Sequence, residues 1–175
     1  LYFNDDMGFG IVNAHSAVRL AETWSATNTA HNEAFAGARL LGISEVIPDG
    51  DQEGGYLATF DINSNIDVEH IELGIDIRHD RLGDLQIEVT SPNGTISTVL
   101  DRPSATEGRP FGLFGEYSGL PNHLMFDLSS AQFYGEDGKG EWQVMVRDVR
   151  AEEVGKLYGL SLKLYGSSAQ DDDQY

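Results

Sequence analysis

Residues 79–95 constrain the fold of this chain more than any other stretch. Leu85, Ile87 and Val89 alternate with Gln86, Glu88 and Thr90. That period of two puts apolar side chains on one face of a strand and polar ones on the other. A tight loop precedes the strand, and the turn-forming run Pro92-Asn93-Gly94 follows it. The same grammar recurs from Glu45 onward. Candidate strands cover 56–62, 68–78, 84–91, 96–101, 124–128, 141–147 and 156–165, with turn signals at Pro48-Asp49-Gly50, Glu136-Asp137-Gly138 and Gly155. Trp142, Val144 and Val146 share one face, as do Leu160, Leu162 and Leu164. About eight short strands at this spacing predict an all-β fold, a jelly-roll sandwich.

Composition narrows the partners. A chain of 175 residues can bury one sizeable core with an extra segment beside it. Its net charge is −18, from 29 acidic and 11 basic residues. A phosphate backbone is repelled by such a surface, as is an anionic membrane face, so neither nucleic acid nor membrane is an expected partner. No run approaches the roughly 18 consecutive apolar residues of a spanning helix. Cysteine is absent, which excludes thiolate zinc sites and cysteine nucleophiles.

Residues 1–24 read differently from the rest. Asn13 is placed to cap a short helix whose stripe is Ala14, Ala17, Val18, Ala21 and Trp24. Residues 25–44 are small and polar, then rich in alanine and glycine. They read as a linker, with a short helix or strand near 35–41. The β module is expected over 45–168 and an acidic tail over 169–175. No signal peptide opens the chain, and both ends read as cut from something longer.

Two motifs carry a family resemblance. His79, a short loop, Gly83-Asp84-Leu85, the alternating strand and Ser91-Pro92-Asn93-Gly94-Thr95 resemble the P domain of kexin- and furin-like proteases. Gly138-x-Gly140-x-Trp142-x-x-x-Val146-x-Asp148, then Gly155-x-Leu157 and Leu162-x-Leu164-x-Gly166, resemble its C-terminal half, with Tyr158 near the position where the family usually has tryptophan. Upstream, Asn4-Asp5-Asp6-Met7-Gly8-Phe9-Gly10-Ile11-Val12-Asn13-Ala14 and Ala17-Val18-Arg19-Leu20-Ala21-Glu22-Thr23-Trp24 resemble the end of a subtilisin-like catalytic domain. The resemblance implies the non-catalytic P domain of a secreted, bacterial, calcium-dependent subtilisin/kexin-like serine endopeptidase. Such a module docks on, stabilises and regulates a catalytic domain in the same parent chain. A stand-alone jelly-roll module binding carbohydrate or protein is the alternative.

The chemistry splits the same way. A subtilisin-type enzyme needs Asp, His and Ser with an oxyanion hole, and no Gly-Thr-Ser-x-(Ala/Ser)-x-Pro run or Gly-x-Ser-x-Gly elbow occurs, so the chain is expected to be proteolytically inert. Its five histidines show no zinc-ligand spacing. For His79 the resemblance implies a structural role, a strand-end residue bonding its own loop, against the alternative of a ligand role. If successive strands run up and down, with a late hairpin of 142–147 and 156–165, Asp49, Asp51, Glu53, Asp80, Asp84, Asp148, Glu152 and Glu153 gather at one end. Calcium is then the expected cation, with Asp49, Asp51, Asp84 and Asp148 as ligands; a solvated acidic rim is the alternative. The resemblance implies that Phe111, Phe114 and Tyr117, in a glycine-rich loop, face the catalytic domain with Trp24; ordinary loop anchoring and glycan binding are the alternatives, and an exposed docking face would support weak self-association.

Overall fold

The computed structural model describes residues 7–23, 31–50, 54–103, 123–151 and 154–168. A short helix, α1 (Ala14–Ala21), comes first, and Asn13 caps it by accepting the Ser16 N–H at 3.0 Å. Eight strands follow: β1 (Glu33–Ile47), β2 (Tyr56–Ile62), β3 (Ile66–Arg78), β4 (Leu85–Thr90), β5 (Ile96–Asp101), β6 (His123–Ser130), β7 (Gly140–Asp148) and β8 (Gly155–Ser168). They form two four-stranded sheets, ordered β1-β8-β3-β6 and β2-β7-β4-β5, with antiparallel pairing throughout. No helix of the described residues is long and apolar enough to cross a membrane.

The core lies between the sheets. Inward-facing Ile71, Leu73 and Ile77 of β3, Leu85, Ile87 and Val89 of β4, Trp142, Val144 and Val146 of β7, and Leu160, Leu162 and Leu164 of β8 are fully buried. β7 and β8 are the strands whose alternation is cleanest in sequence. Each has a neighbour on both sides, so one face of each strand is wholly enclosed.

Two expectations need correction. The sandwich begins at Glu33, inside the stretch that reads as a linker. β1 pairs with β8 from Glu33↔Ser167 to Ile47↔Gly155. Its inward residues Ala34, Ala36 and Ala38 are too small to give an apolar signal, and a register shift after Leu41, where Gly42 has φ 69°, breaks the period. Nor do β7 and β8 form a hairpin. They belong to different sheets, and the segment after Asp148 crosses from one to the other. β8 does pair antiparallel with β3, as the strand order implied.

The up-and-down course fixes the two ends of the sandwich. One end collects the finish of β1, β3, β5 and β7 and the start of β2, β4, β6 and β8. The β4–β5 and β6–β7 turns lie at the other.

Candidate functional site

The first end is built around a buried ion cluster. β3 ends at Arg78, so His79 follows directly into the loop, and its ring is sealed beneath Gly155. A Cβ on Gly155 would overlap the His79 ring and come within 3.2 Å of Ile47 Cδ1. Glycine there is a requirement of packing. The His79 and Asp148 side chains are both 0% exposed. The Arg81 backbone N–H donates to His79 Nδ1 at 3.0 Å. An imidazole that accepts at Nδ1 carries its proton on Nε2, and Nε2 lies 2.8 Å from Asp148 Oδ2. The second Asp148 oxygen accepts the Arg150 N–H at 3.1 Å.

Asp84 stands beside this pair because Leu85 and Asp148 are register partners on β4 and β7. Its side chain is 7% exposed and faces Arg81 Nε at 3.3 Å and Arg150 Nε at 3.6 Å. The Asp84 carbonyl accepts the Val149 N–H at 2.9 Å, tying the two loops together. Asp84 is thus matched by two guanidinium ions, and Asp148 by hydrogen bonds from a neutral imidazole and a backbone N–H. Burial of this kind is tolerated only when each charge has a partner.

A His–Asp pair is part of a serine protease's machinery, but this one is closed. One ring nitrogen is engaged by a backbone N–H and the other by the carboxylate, and neither side chain reaches solvent. No nitrogen is left to take a proton from a nucleophile. The pair locks the ends of β3 and β7.

The structure brings Asp49, Asp80, Asp84 and Asp148 to this one end; Asp51, Glu53, Glu152 and Glu153 lie outside the described residues. Asp84 and Asp148 do not fit a calcium site as they stand, because their oxygens face Arg81, Arg150 and His79. Among the described residues no group of three or more His, Asp or Glu side chains could hold a metal ion. Phe111, Phe114, Tyr117 and Trp24 also lie outside the described residues. Sequence reasoning missed Arg81 and Arg150. The Arg81–Asp84 spacing of three within a tight loop was the available signal.

At the opposite end, the segment between β6 and β7 is held without buried charge pairs. Phe133 is fully buried, edge-on to Trp142 with ring centroids 5.0 Å apart, and Trp142 Nε1 donates to the Gly138 carbonyl at 2.8 Å. Four backbone bonds of 2.7–3.1 Å tie the turn to itself and to β3: Gly135 to Val68, Val68 to Glu136, Gly138 to Ile66 and Glu136 to Phe133. Thr95 and Asn93 both donate to the Glu136 carboxylate.

Arg102, just past β5, is raised by its hydrogen bond to Asp101; the other groups whose acidity departs from the ordinary lie at neither end. They sit on the outer face of the β1-β8-β3-β6 sheet. The Tyr165 hydroxyl donates to Glu72 at 2.9 Å and, with Lys163, holds that carboxyl below the usual range. The same bond raises Tyr165. Lys163 is raised by Tyr165 and by its own bond to Glu72.

Comparison with known proteins places this architecture. The family model of the proprotein convertase P-domain matches residues 68–164. Proprotein convertase subtilisin/kexin type 6 of Rattus norvegicus is 30% identical across 92% of this chain and 17% of its own length. Aeromonas extracellular serine protease of Aeromonas sobria is 28% identical across 85% of this chain and 24% of its own. The crystal structure of the Aeromonas sobria serine protease in complex with the chaperone superposes with a TM-score of 0.71 at 24% identity, covering 93% of this chain and 31% of that one. The chain therefore spans about a sixth of the length of the convertase it matches.

Proposed function

Because the chain belongs to the proprotein convertase P-domain family, we propose that it serves as the non-catalytic β module of a secreted subtilisin/kexin-like serine endopeptidase, stabilising and regulating the catalytic domain. The observation that carries this reading is the family match across β3–β8 together with the closed His79–Asp148 pair. The second supports a role in holding the module's shape and none in bond cleavage. A rigid sandwich that binds only the folded form of a neighbouring domain raises that domain's stability by linkage.

Calcium dependence belongs to the proposal. A direct site is proposed on the segment carrying Asp49 and Asp51, since Asp84 faces two guanidinium ions and both Asp148 oxygens already accept hydrogen bonds. Calcium at 100 times its dissociation constant adds about 2.7 kcal/mol to stability. That increment should vanish in Asp51→Asn and survive Asp84→Asn. Superimposable melts in calcium and in chelator would remove calcium from the reading.

The test compares the intact gene product with a version lacking residues 31–168, by residual peptide hydrolysis after heating. The deletion should shorten the half-life of activity, and the 175-residue chain alone should cleave neither casein nor peptides. Equal half-lives would refute the stabilising role. The alternative, a stand-alone binding module, has one observation in its favour. Phe35 is 77% exposed and pairs across strands with Tyr165, whose ring stacks on His70 at 4.8 Å.

A further inference from the structure

The β6–β7 segment is built more heavily than a connection needs. Phe133 anchors it under Trp142, and backbone bonds to Ile66 and Val68 fix its path. The next residue, Tyr134, turns its ring outward and is 40% exposed. A rigid backbone presenting one aromatic ring is the construction of an interface anchor, because the ring loses little freedom when covered.

That ring already has an occupant. Phe9 meets it edge-on, centroids 5.9 Å apart at an interplanar angle of 85°, and stays 43% exposed. Phe9 belongs to the segment that leads into α1, none of whose residues is buried. Ile11, Val12, Val18 and Leu20 are 87%, 90%, 62% and 54% exposed. Residues 7–23 contain one arginine and one acidic residue, Arg19 and Glu22, and these pair with each other at 3.0 Å. In a chain of net charge −18, the segment is charge-balanced and apolar. Depletion of net charge with apolar side chains left open is the pattern of an interface centre.

We propose that Phe9 and Tyr134 form the contact through which the catalytic domain, continuous with residues 7–23, seats on the sandwich, so that docking occurs at the β6–β7 end. This rests on the P-domain reading above. Covalent continuity supplies the effective concentration that lets so small a contact matter. It also assigns the two ends different tasks, since the buried ion cluster lies at the far end from this contact. The expectation that Phe111, Phe114 and Tyr117 share this face falls on residues outside the described ones, and the contact proposed here rests on Phe9 and Tyr134 alone.

The experiment uses the intact gene product, carrying Phe9→Ala, Tyr134→Ala, Tyr134→Phe or Met125→Ala, beside the deletion of residues 31–168. Met125 is a control, 68% exposed on β6 at the other end. The readout is the temperature of half-inactivation of peptide hydrolysis. Phe9→Ala and Tyr134→Ala should each lower it by about 3 °C. The double variant should be no worse than either single one. Tyr134→Phe, which keeps the ring, and Met125→Ala should match the unaltered protein. In the 175-residue chain alone, Phe9→Ala should leave the melting of the sandwich unchanged. If the deletion destabilises the protease while both alanine variants behave normally, docking occurs elsewhere, and this inference fails while the P-domain reading stands. If the deletion itself has no effect, the stabilising role fails, and the docking contact with it.

Discussion

The two ends of this sandwich solve one problem in opposite ways. Both must fasten a loop across the gap between the sheets. At the His79 end the fastening rests on buried carboxylates: Asp84 pairs with the Arg81 and Arg150 guanidinium ions, and Asp148 accepts hydrogen bonds from His79 and the Arg150 N–H. At the Phe133 end it is aromatic packing and backbone hydrogen bonding around Trp142. Such fastening is conditional, since each buried carboxylate is tolerable only while its partners stay. Aromatic fastening fails only by loss of volume. A region that must keep its shape while another domain presses on it is better built the second way.

Deleting one partner at each end exposes the contrast most strongly. His79→Ala should cost about 3–5 kcal/mol, because it leaves the buried Asp148 carboxylate without its side-chain hydrogen-bond donor and opens a cavity where the ring sat. Phe133→Ala should cost a similar amount, about 3–5 kcal/mol, by opening a cavity beside Trp142. Denaturant melts measure both. The ends then diverge on a second substitution. Adding Asp148→Ala to His79→Ala should recover part of the loss, whereas adding Tyr134→Ala to Phe133→Ala should recover nothing. Strict additivity at the His79 end would erase the distinction.

Gly155→Ala should cost about 1–3 kcal/mol, because the new methyl group meets the His79 ring and Ile47. Melting is the measure, and a neutral result would mean that the imidazole can move without penalty. Asp84→Asn should cost less, about 1 kcal/mol, since Arg81 and Arg150 are 35% and 55% exposed and rehydrate readily.

The smallest effect concerns neither end. The Glu72 carboxyl is held below its ordinary pKa, first by Tyr165 and then by Lys163. Its contribution is therefore present above its unfolded value and lost as pH falls through the folded one. Tyr165 and Lys163 are raised, so theirs is present below their unfolded values and lost as pH rises through the folded ones. Tyr165→Phe should flatten a shallow acid and alkaline slope in melting temperature. An unchanged slope would remove the network from the pH dependence.

How much of this could be read from sequence depends on contrast between alternate residues. β4, β7 and β8 were legible because Leu85-Gln86-Ile87, Trp142-Gln143-Val144 and the Leu160-Leu162-Leu164 face give one side a clear chemistry. β1 was not, because Ala34, Ala36 and Ala38 face inward beside an outward Gly37 and the bulge at Gly42 resets the period. The gathering of Asp49, Asp84 and Asp148 followed from strand order alone. The charges that balance Asp84 did not, because Arg81 and Arg150 meet it only once two loops fold together. In the same way, Phe133 and Tyr134 are adjacent aromatics in a turn, where no period tells the inward ring from the outward one.

The most direct test of the contrast is the nitrogen spectrum of His79 in the 175-residue chain near neutral pH. A closed structural pair requires the proton on Nε2, an Nδ1 that accepts from the Arg81 N–H, and an Nε2 proton that exchanges slowly with water. Those signals should persist unchanged when calcium is added. A proton on Nδ1, or rapid exchange at Nε2, would contradict the assignment of the pair as the closed hydrogen-bonded lock of this end.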